Sequence, residues 1–244
     1  AVALALHEQG ACVVATGRDI RRGGDLARQG LTFLPCDLAT NAANVARLIE
    51  HCDAVVHCAA LSAPWGQRAT FLAANVTATR HVVEACIRGG VKRLVHISSP
   101  SVAFDFKEQN ALREDAPWSD PPANDYIATK RESECLVIDA AAQGLDAIVL
   151  RPKALFGPGD TTLLPRVIRV ARRGSFPLLG DGDPMMDLTW ICDAVQAVQL
   201  ALRAWSPHRG KVFSITSGDP QPRSAVLGTM LEACGLPVRF RRIS

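Results

Sequence analysis

The 244-residue sequence contains one tyrosine, Tyr126, and only five lysines, and aromatic residues make up 5% of it. A chain this poor in rings and this rich in Ala, Val and Leu suits buried parallel strands covered by helices. Its net charge of +3 is small for the length. That balance gives no basis for nucleic acid as a partner. None of the eight cysteines forms a CxxC pair, and no His/Cys/Asp spacing matches a metal site. Most cysteines sit in apolar runs such as "AVVHCAA", which reads as small buried hydrophobes in a reducing, cytoplasmic setting. No apolar run reaches membrane-spanning length, so no membrane partner is expected. No signal peptide, internal repeat or low-complexity tract is visible.

What is present alternates. Strands are expected at "ACVVAT" (11–16), "LTFLPCDL" (31–38), "DAVVHCAA" (53–60), "RLVHISS" (93–99) and "LDAIVLRP" (145–152), with shorter ones at "DLTWI" (187–191) and "KVFSITS" (211–217). Helices are expected over 1–10, 67–90, 125–143, 161–174, 193–205 and 224–235. The 67–90 helix carries Leu72, Val76, Val83 and Ile87 at helical spacing. This order predicts an α/β fold, a Rossmann-like doubly wound parallel sheet. In such a fold the helix at residue 1 should follow a strand and a glycine-rich turn, and neither is in this sequence. The expectation is therefore an N-terminally truncated dinucleotide-binding domain over 1–154. Residues 155–244 would be a small, incomplete substrate-binding portion, with sheet elements returning at 187–217.

Two residues carry the chemistry. Tyr126 and Lys130 are four apart on one expected helix, so both project from one face. A phenol exchanges protons poorly at neutral pH, and a neighbouring ammonium favours its ionised form. Such a pair can give a proton to, or take one from, an alcohol or carbonyl oxygen. The lysine's other donors can hold ribose hydroxyls. Ser99 ends the strand "RLVHISS", on the side of a parallel sheet where ligands sit. Its hydroxyl can bond the same substrate oxygen.

These stretches, in order, resemble the extended short-chain dehydrogenase/reductase superfamily. Asp37 in "CDL" resembles the adenine-contacting acid, with Leu38 beside it. "DAVVHCAA" resembles the fourth-strand signature, whose Ala59 and Ala60 let backbone approach the dinucleotide. Asn75 in "NVTATRHVVEAC" resembles the bracing asparagine. "ISSPSVAF" aligns Ser99 with the catalytic serine, and "YIATK" aligns Tyr126 and Lys130 with the catalytic pair. Pro152 in "LRPKALFGPGD" falls in the segment beside the nicotinamide. "SSPSVAFDF", "RPKALFGPGDTTLLPR" and "GDGDPMMDLTWICDAV" are most similar to the 3β-hydroxysteroid dehydrogenase-like branch, which includes 2-alkyl-3-oxoalkanoate reductases.

The resemblance implies an NAD(P)-dependent oxidoreductase acting on a secondary alcohol or ketone of an apolar small molecule. A nucleotide-sugar epimerase or dehydratase is the same-chemistry alternative. A non-catalytic dinucleotide-binding module and an inactive fragment are the others. A homodimer is compatible with the reading. The family's G-x-x-G-x-x-G turn, which cradles the pyrophosphate, would need about 15–20 residues upstream. Where an acid would hold the ribose of NAD, Thr16 and Gly17 are followed by Arg18, then Arg21 and Arg22. This favours NADP over NAD, unless Asp19 reaches back. His57 and His96 are expected as satisfied core residues. Arg166, Arg169, Arg172 and Arg173 read as a solvated helix face.

Overall fold

The computed structural model describes residues 1–180, 182–204 and 208–243. Helices and strands alternate from the start: α1 (Val2–Glu8), β1 (Val14–Gly17), α2 (Ile20–Arg28), β2 (Thr32–Pro35), α3 (Ala42–Ile49) and β3 (Ala54–His57). Next come α4 (Arg68–Phe71), a π-helical turn (Leu72–Thr77), α5 (Ala78–Arg88), β4 (Arg93–Ile97), a 3₁₀ turn (Pro100–Ala103), α6 (Asp125–Ala142) and β5 (Ala147–Pro152). The remainder holds β6 (Leu155–Phe156), α7 (Leu163–Ala171), β7 (Phe176–Leu179), β8 (Met185–Met186), β9 (Thr189–Trp190), α8 (Ile191–Arg203), β10 (Val212–Ile215), β11 (Gln221–Pro222), α9 (Arg223–Ala233) and β12 (Phe240–Ile243). The last residue of the expected 193–205 helix lies outside the described residues.

The chain forms two compact units. One comprises 1–107, 113–151 and 195–214. Its main sheet has the strand order β10-β5-β4-β3, with β3, β4 and β5 parallel. β1 and β2 form a separate parallel pair. Leu94 and Val95 of β4, and Ala147 to Leu150 of β5, are buried on both faces, as their unbroken apolar runs require. The core joins these strands to Val45 and Ile49 of α3, Val82 and Cys86 of α5, and Val137 and Ala140 of α6.

The second unit comprises 108–112, 152–194 and 215–244. It contains three small pairings: parallel β7–β12, antiparallel β8–β11 and parallel β6–β9. Val167 and Ala171 of α7 and Leu227 and Leu231 of α9 share its core with Leu178. Thr189, fully buried, lies 2.6 Å from the Lys153 carbonyl and 2.8 Å from the Ile215 carbonyl, and accepts the Lys153 N–H at 3.1 Å. At Gly157 (φ +137°) a Cβ would sit 2.6 Å from Ile191 Cγ2, so the tight turn in "FGPGD" needs glycine.

Several expectations change. The 67–90 helix is not uniform, because a π turn interrupts it and adds a residue. The buried stripe then runs through Phe71, Asn75, Thr79, Val82 and Cys86, and Ile87 turns outward. The β7–β12 pair goes unread in the sequence because its partners lie over 60 residues apart. Only Cys36 and Cys86 are buried, whereas Cys12, Cys58, Cys135, Cys192 and Cys234 are exposed. His57 is satisfied by Thr79 Oγ1 at 2.9 Å, but both ring nitrogens of buried His96 lack a partner. No described helix is long and apolar enough to cross a membrane.

Candidate active site

α6 is started by Asn124, whose side chain accepts the Ile127 N–H at 2.9 Å, with Asp125 in the first turn. This start places Tyr126 in the first turn and Lys130 in the second. Tyr126 is half-buried, its ring centroid 6.5 Å from that of Phe71. Its hydroxyl makes no hydrogen bond among the described residues.

Lys130 is 2% exposed. Its Nζ donates to the Ile97 carbonyl, at the end of β4, at 2.9 Å. Burial pulls its pKa down to about 8, against the opposing pull of Glu134 and Cys58. Two imidazoles lie near this ammonium, and both are held neutral. Burial, reinforced by Lys130, pushes His57 down to about 3 and His96 well below the usual imidazole range.

Ser99 is half-buried just beyond β4. It caps the 3₁₀ turn, its Oγ 2.8 Å from Ser101 Oγ and accepting the Ser101 N–H at 3.3 Å. α6 holds this segment through Arg131, which donates to the Val102 carbonyl at 2.7 Å and to the Ser119 carbonyl at 2.5 Å. Ser119 Oγ in turn donates to the Phe104 carbonyl at 2.8 Å. Sequence reading misses Arg131, because it gives no sign that a basic residue beside Lys130 turns inward onto carbonyls.

Asn75 is 1% exposed and clamps the chain after β3. It accepts the Leu61 N–H at 2.7 Å and donates to the Leu61 carbonyl at 3.2 Å and to Thr129 Oγ1 at 3.0 Å. This ties the exposed Ala59 and Ala60 to α6. Asp37 and Arg18, 19 positions apart in sequence, are brought to 4.0 Å at the ends of β2 and β1. Leu38 is half-buried, and His81 Nδ1 donates to its carbonyl at 2.7 Å. Asp19 caps α2 by accepting the Arg21 and Arg22 N–H groups at 3.0 and 3.2 Å. Pro152 is half-buried at the end of β5.

A cleft of about 540 Å³ is bordered at the start of α6 by Asn124, Asp125 and Ala128, while Tyr126 and Lys130 point from another face of the helix. Pro64, Trp65, Phe71, Pro121 and Pro122 supply its apolar wall. Arg68 and Asp125 also line it, but their charges are spent on each other at 2.8 Å. Trp65 is 83% exposed.

A second group was not anticipated. Glu134, one turn after Lys130, is fully buried and accepts from Arg151 Nη2 at 2.5 Å and Nε at 3.1 Å. Arg151, 4% exposed, also donates to the Glu114 carbonyl at 3.1 Å. The legible signal was a third polar residue at i+4 on the Tyr–Lys face, with an arginine inside the apolar run "AIVLRP".

Residues 1–216 match the NAD dependent epimerase/dehydratase family. The chain is 34% identical over 244 residues to a 2-alkyl-3-oxoalkanoate reductase of Stenotrophomonas maltophilia, covering 98% of this chain and 73% of that protein. It is 32% identical over 223 residues to 3beta-hydroxysteroid-dehydrogenase/decarboxylase isoform 1 of Arabidopsis thaliana, covering 87% of this chain and 51% of that protein. Its fold matches UDP-glucuronic acid 4-epimerase from Bacillus cereus in complex with NAD, with a TM-score of 0.84 and 21% identity, over 99% of this chain and 82% of that one. The chain therefore belongs to the NAD-dependent epimerase/dehydratase family, the extended short-chain dehydrogenases/reductases. It is an NAD(P)-dependent oxidoreductase of that family.

The residues at these strand ends fit a dinucleotide. Ala59 and Ala60 expose backbone with almost no side chain in the way. Lys130 uses one of three ammonium hydrogens on Ile97 and keeps two for a ligand. Arg18 and Asp37 present a cation and an acceptor at the strand ends.

Proposed function

We propose that this enzyme interconverts a ketone and a secondary alcohol on an apolar substrate, with Tyr126 as proton donor and acceptor, Lys130 as its electrostatic partner and Ser99 as the group that holds the reacting oxygen. The bound nicotinamide supplies or accepts the hydride. In reduction, the Tyr126 hydroxyl gives its proton to the oxygen as negative charge grows there. The Lys130 ammonium steadies the phenolate left behind and keeps two hydrogens free for ribose hydroxyls. Ser99 donates to the same oxygen and fixes its direction. The observation that carries this reading is Lys130. It is a buried cation on the same helical face as the only tyrosine, joined to the protein by a single carbonyl.

The cleft reaches Tyr126 only through Phe71, whose ring lies 6.5 Å from that of Tyr126, and its Trp65, Phe71 and proline wall supports a hydrophobic substrate body, since its one arginine is paired with Asp125. The 2-alkyl-3-oxoalkanoate reductase and the hydroxysteroid dehydrogenase among the relatives are consistent with this class by their names. Residues 155–244, apart from the returning elements at 187–217, are assigned to substrate binding. The test is a panel of β-keto acids, ketosteroids and nucleotide sugars, followed by nicotinamide absorbance. Turnover confined to nucleotide sugars, with a cofactor that is never consumed, would replace this reading with epimerisation. Trp65→Ala should raise KM for long-chain ketones by roughly 10-fold and leave short ones nearly unchanged, as loss of a buried aromatic contact would do. Equal effects on both would remove the cleft from the substrate path.

NADP is the favoured cofactor. Asp19 Oδ1 caps α2 and its Oδ2 lies 3.5 Å from Arg22 Nε, and both contacts compete with a ribose hydroxyl for this carboxylate. Arg18 is exposed and only loosely paired with Asp37, so it is placed to receive a 2′-phosphate. Arg18→Ala should cost NADPH roughly 10- to 100-fold in kcat/KM, the worth of a charge-assisted hydrogen bond, and NADH little. A native preference for NADH would refute the assignment.

A further inference from the structure

We propose that Glu134, locked by Arg151, is a positioning residue that keeps Lys130 in its ammonium form inside the folded protein; this rests on the acid/base reading above. Tyr126, Lys130 and Glu134 recur every four residues, so they stack along one face of α6. Lys130 and Glu134 are 2% and 0% exposed, so neither charge is screened by water. A carboxylate one turn away then favours the buried ammonium, against the larger opposing effect of burial and with part of its charge offset by Arg151.

The carboxylate is fixed in direction. Both its oxygens face Arg151, at 2.5 and 3.1 Å, and Arg151 is held in turn by the Glu114 carbonyl. Glu114 is anchored through its own Oε1, which accepts the Ser214 N–H of β10 at 2.8 Å. The strut therefore ties the Tyr–Lys helix to β5 and β10.

The other groups facing Lys130 do not substitute for Glu134. His57 of β3 and His96 of β4 are neutral and offer no negative charge. Cys58, just after β3, acts in the same direction as Glu134 but less strongly. The Ile97 carbonyl, Lys130's one hydrogen-bond acceptor among the described residues, is a dipole and not a charge.

The sign follows directly. The Lys130 ammonium favours the active arrangement and is lost as pH rises through about 8. Removing the carboxylate lowers that value further, so the alkaline fall in activity should begin earlier.

The test is kcat/KM against pH for the full chain. Glu134→Gln should move the alkaline limb about one unit lower, a roughly tenfold loss on that limb, with little change at acid pH. Glu134→Asp, with its charge drawn back one methylene, should fall between the two. If Glu134→Gln does not fold, Glu134→Gln with Arg151→Met removes both charges without orphaning either and should move the limb in the same direction by a smaller amount, since the opposing positive charge leaves too. A uniform loss at all pH values, or any other ordering of the limbs, overturns the proposal and leaves the pair a structural strut. Activity retained in Tyr126→Phe would instead overturn the acid/base reading itself.

Discussion

Replacing Tyr126 with Phe should lower kcat by roughly 10²- to 10⁴-fold, the usual worth of a positioned proton donor. Fold and dinucleotide affinity should hardly change. The reason is visible in the structure: the ring stays packed near Phe71, and the hydroxyl makes no hydrogen bond among the described residues. Nothing in the fold depends on that oxygen, so its loss falls on chemistry. The measurement pairs steady-state turnover with cofactor titration and thermal unfolding. A variant that unfolds early, or one that still turns over, would show the oxygen has a different task.

The largest stability effect belongs to the buried ion pair. Arg151→Met should cost about 3–5 kcal/mol in urea unfolding, because it strands the Glu134 carboxylate away from water. Glu134→Gln with Arg151→Met should recover most of that loss, since neither partner is then left unpaired. By contrast, removing Lys92 from its exposed pair with Asp53 should be neutral within error, because water screens both charges. A loss below about 1 kcal/mol for Arg151→Met would mean that water or another group reaches Glu134 when its partner leaves.

Much of this was legible in one dimension. Apolar runs that end in small or polar residues marked β3, β4 and β5 because strands buried on both faces need little else. The helix expected over 125–143 is found at Asp125–Ala142, and Gly144 just beyond it has the positive φ of 117° that favours glycine, whereas the Asn124 cap at its start was not read. The Tyr126–Lys130 spacing was readable because a helix converts four residues into one face. The π turn at 72–77 was not, because the hydrophobic pattern of 67–90 is compatible with regular 3.6-residue spacing. The cysteines were misjudged for a related reason. An apolar neighbourhood in sequence says nothing about which side of the element a thiol occupies.

The fold class and the shared helical face of Tyr126 and Lys130 follow from residue order, because they depend on periods and spacings within single elements, and the family follows from the ordered motifs that resemble it. The pairing of Arg18 with Asp37, the Asn75 clamp on Leu61, the grip of Arg131 on the serine segment and the lock of Arg151 on Glu134 do not. Each joins elements far apart in the chain, and its strength comes from burial, which removes competing water and makes every unmet polar group costly. Only the folded chain decides which polar groups share such a place.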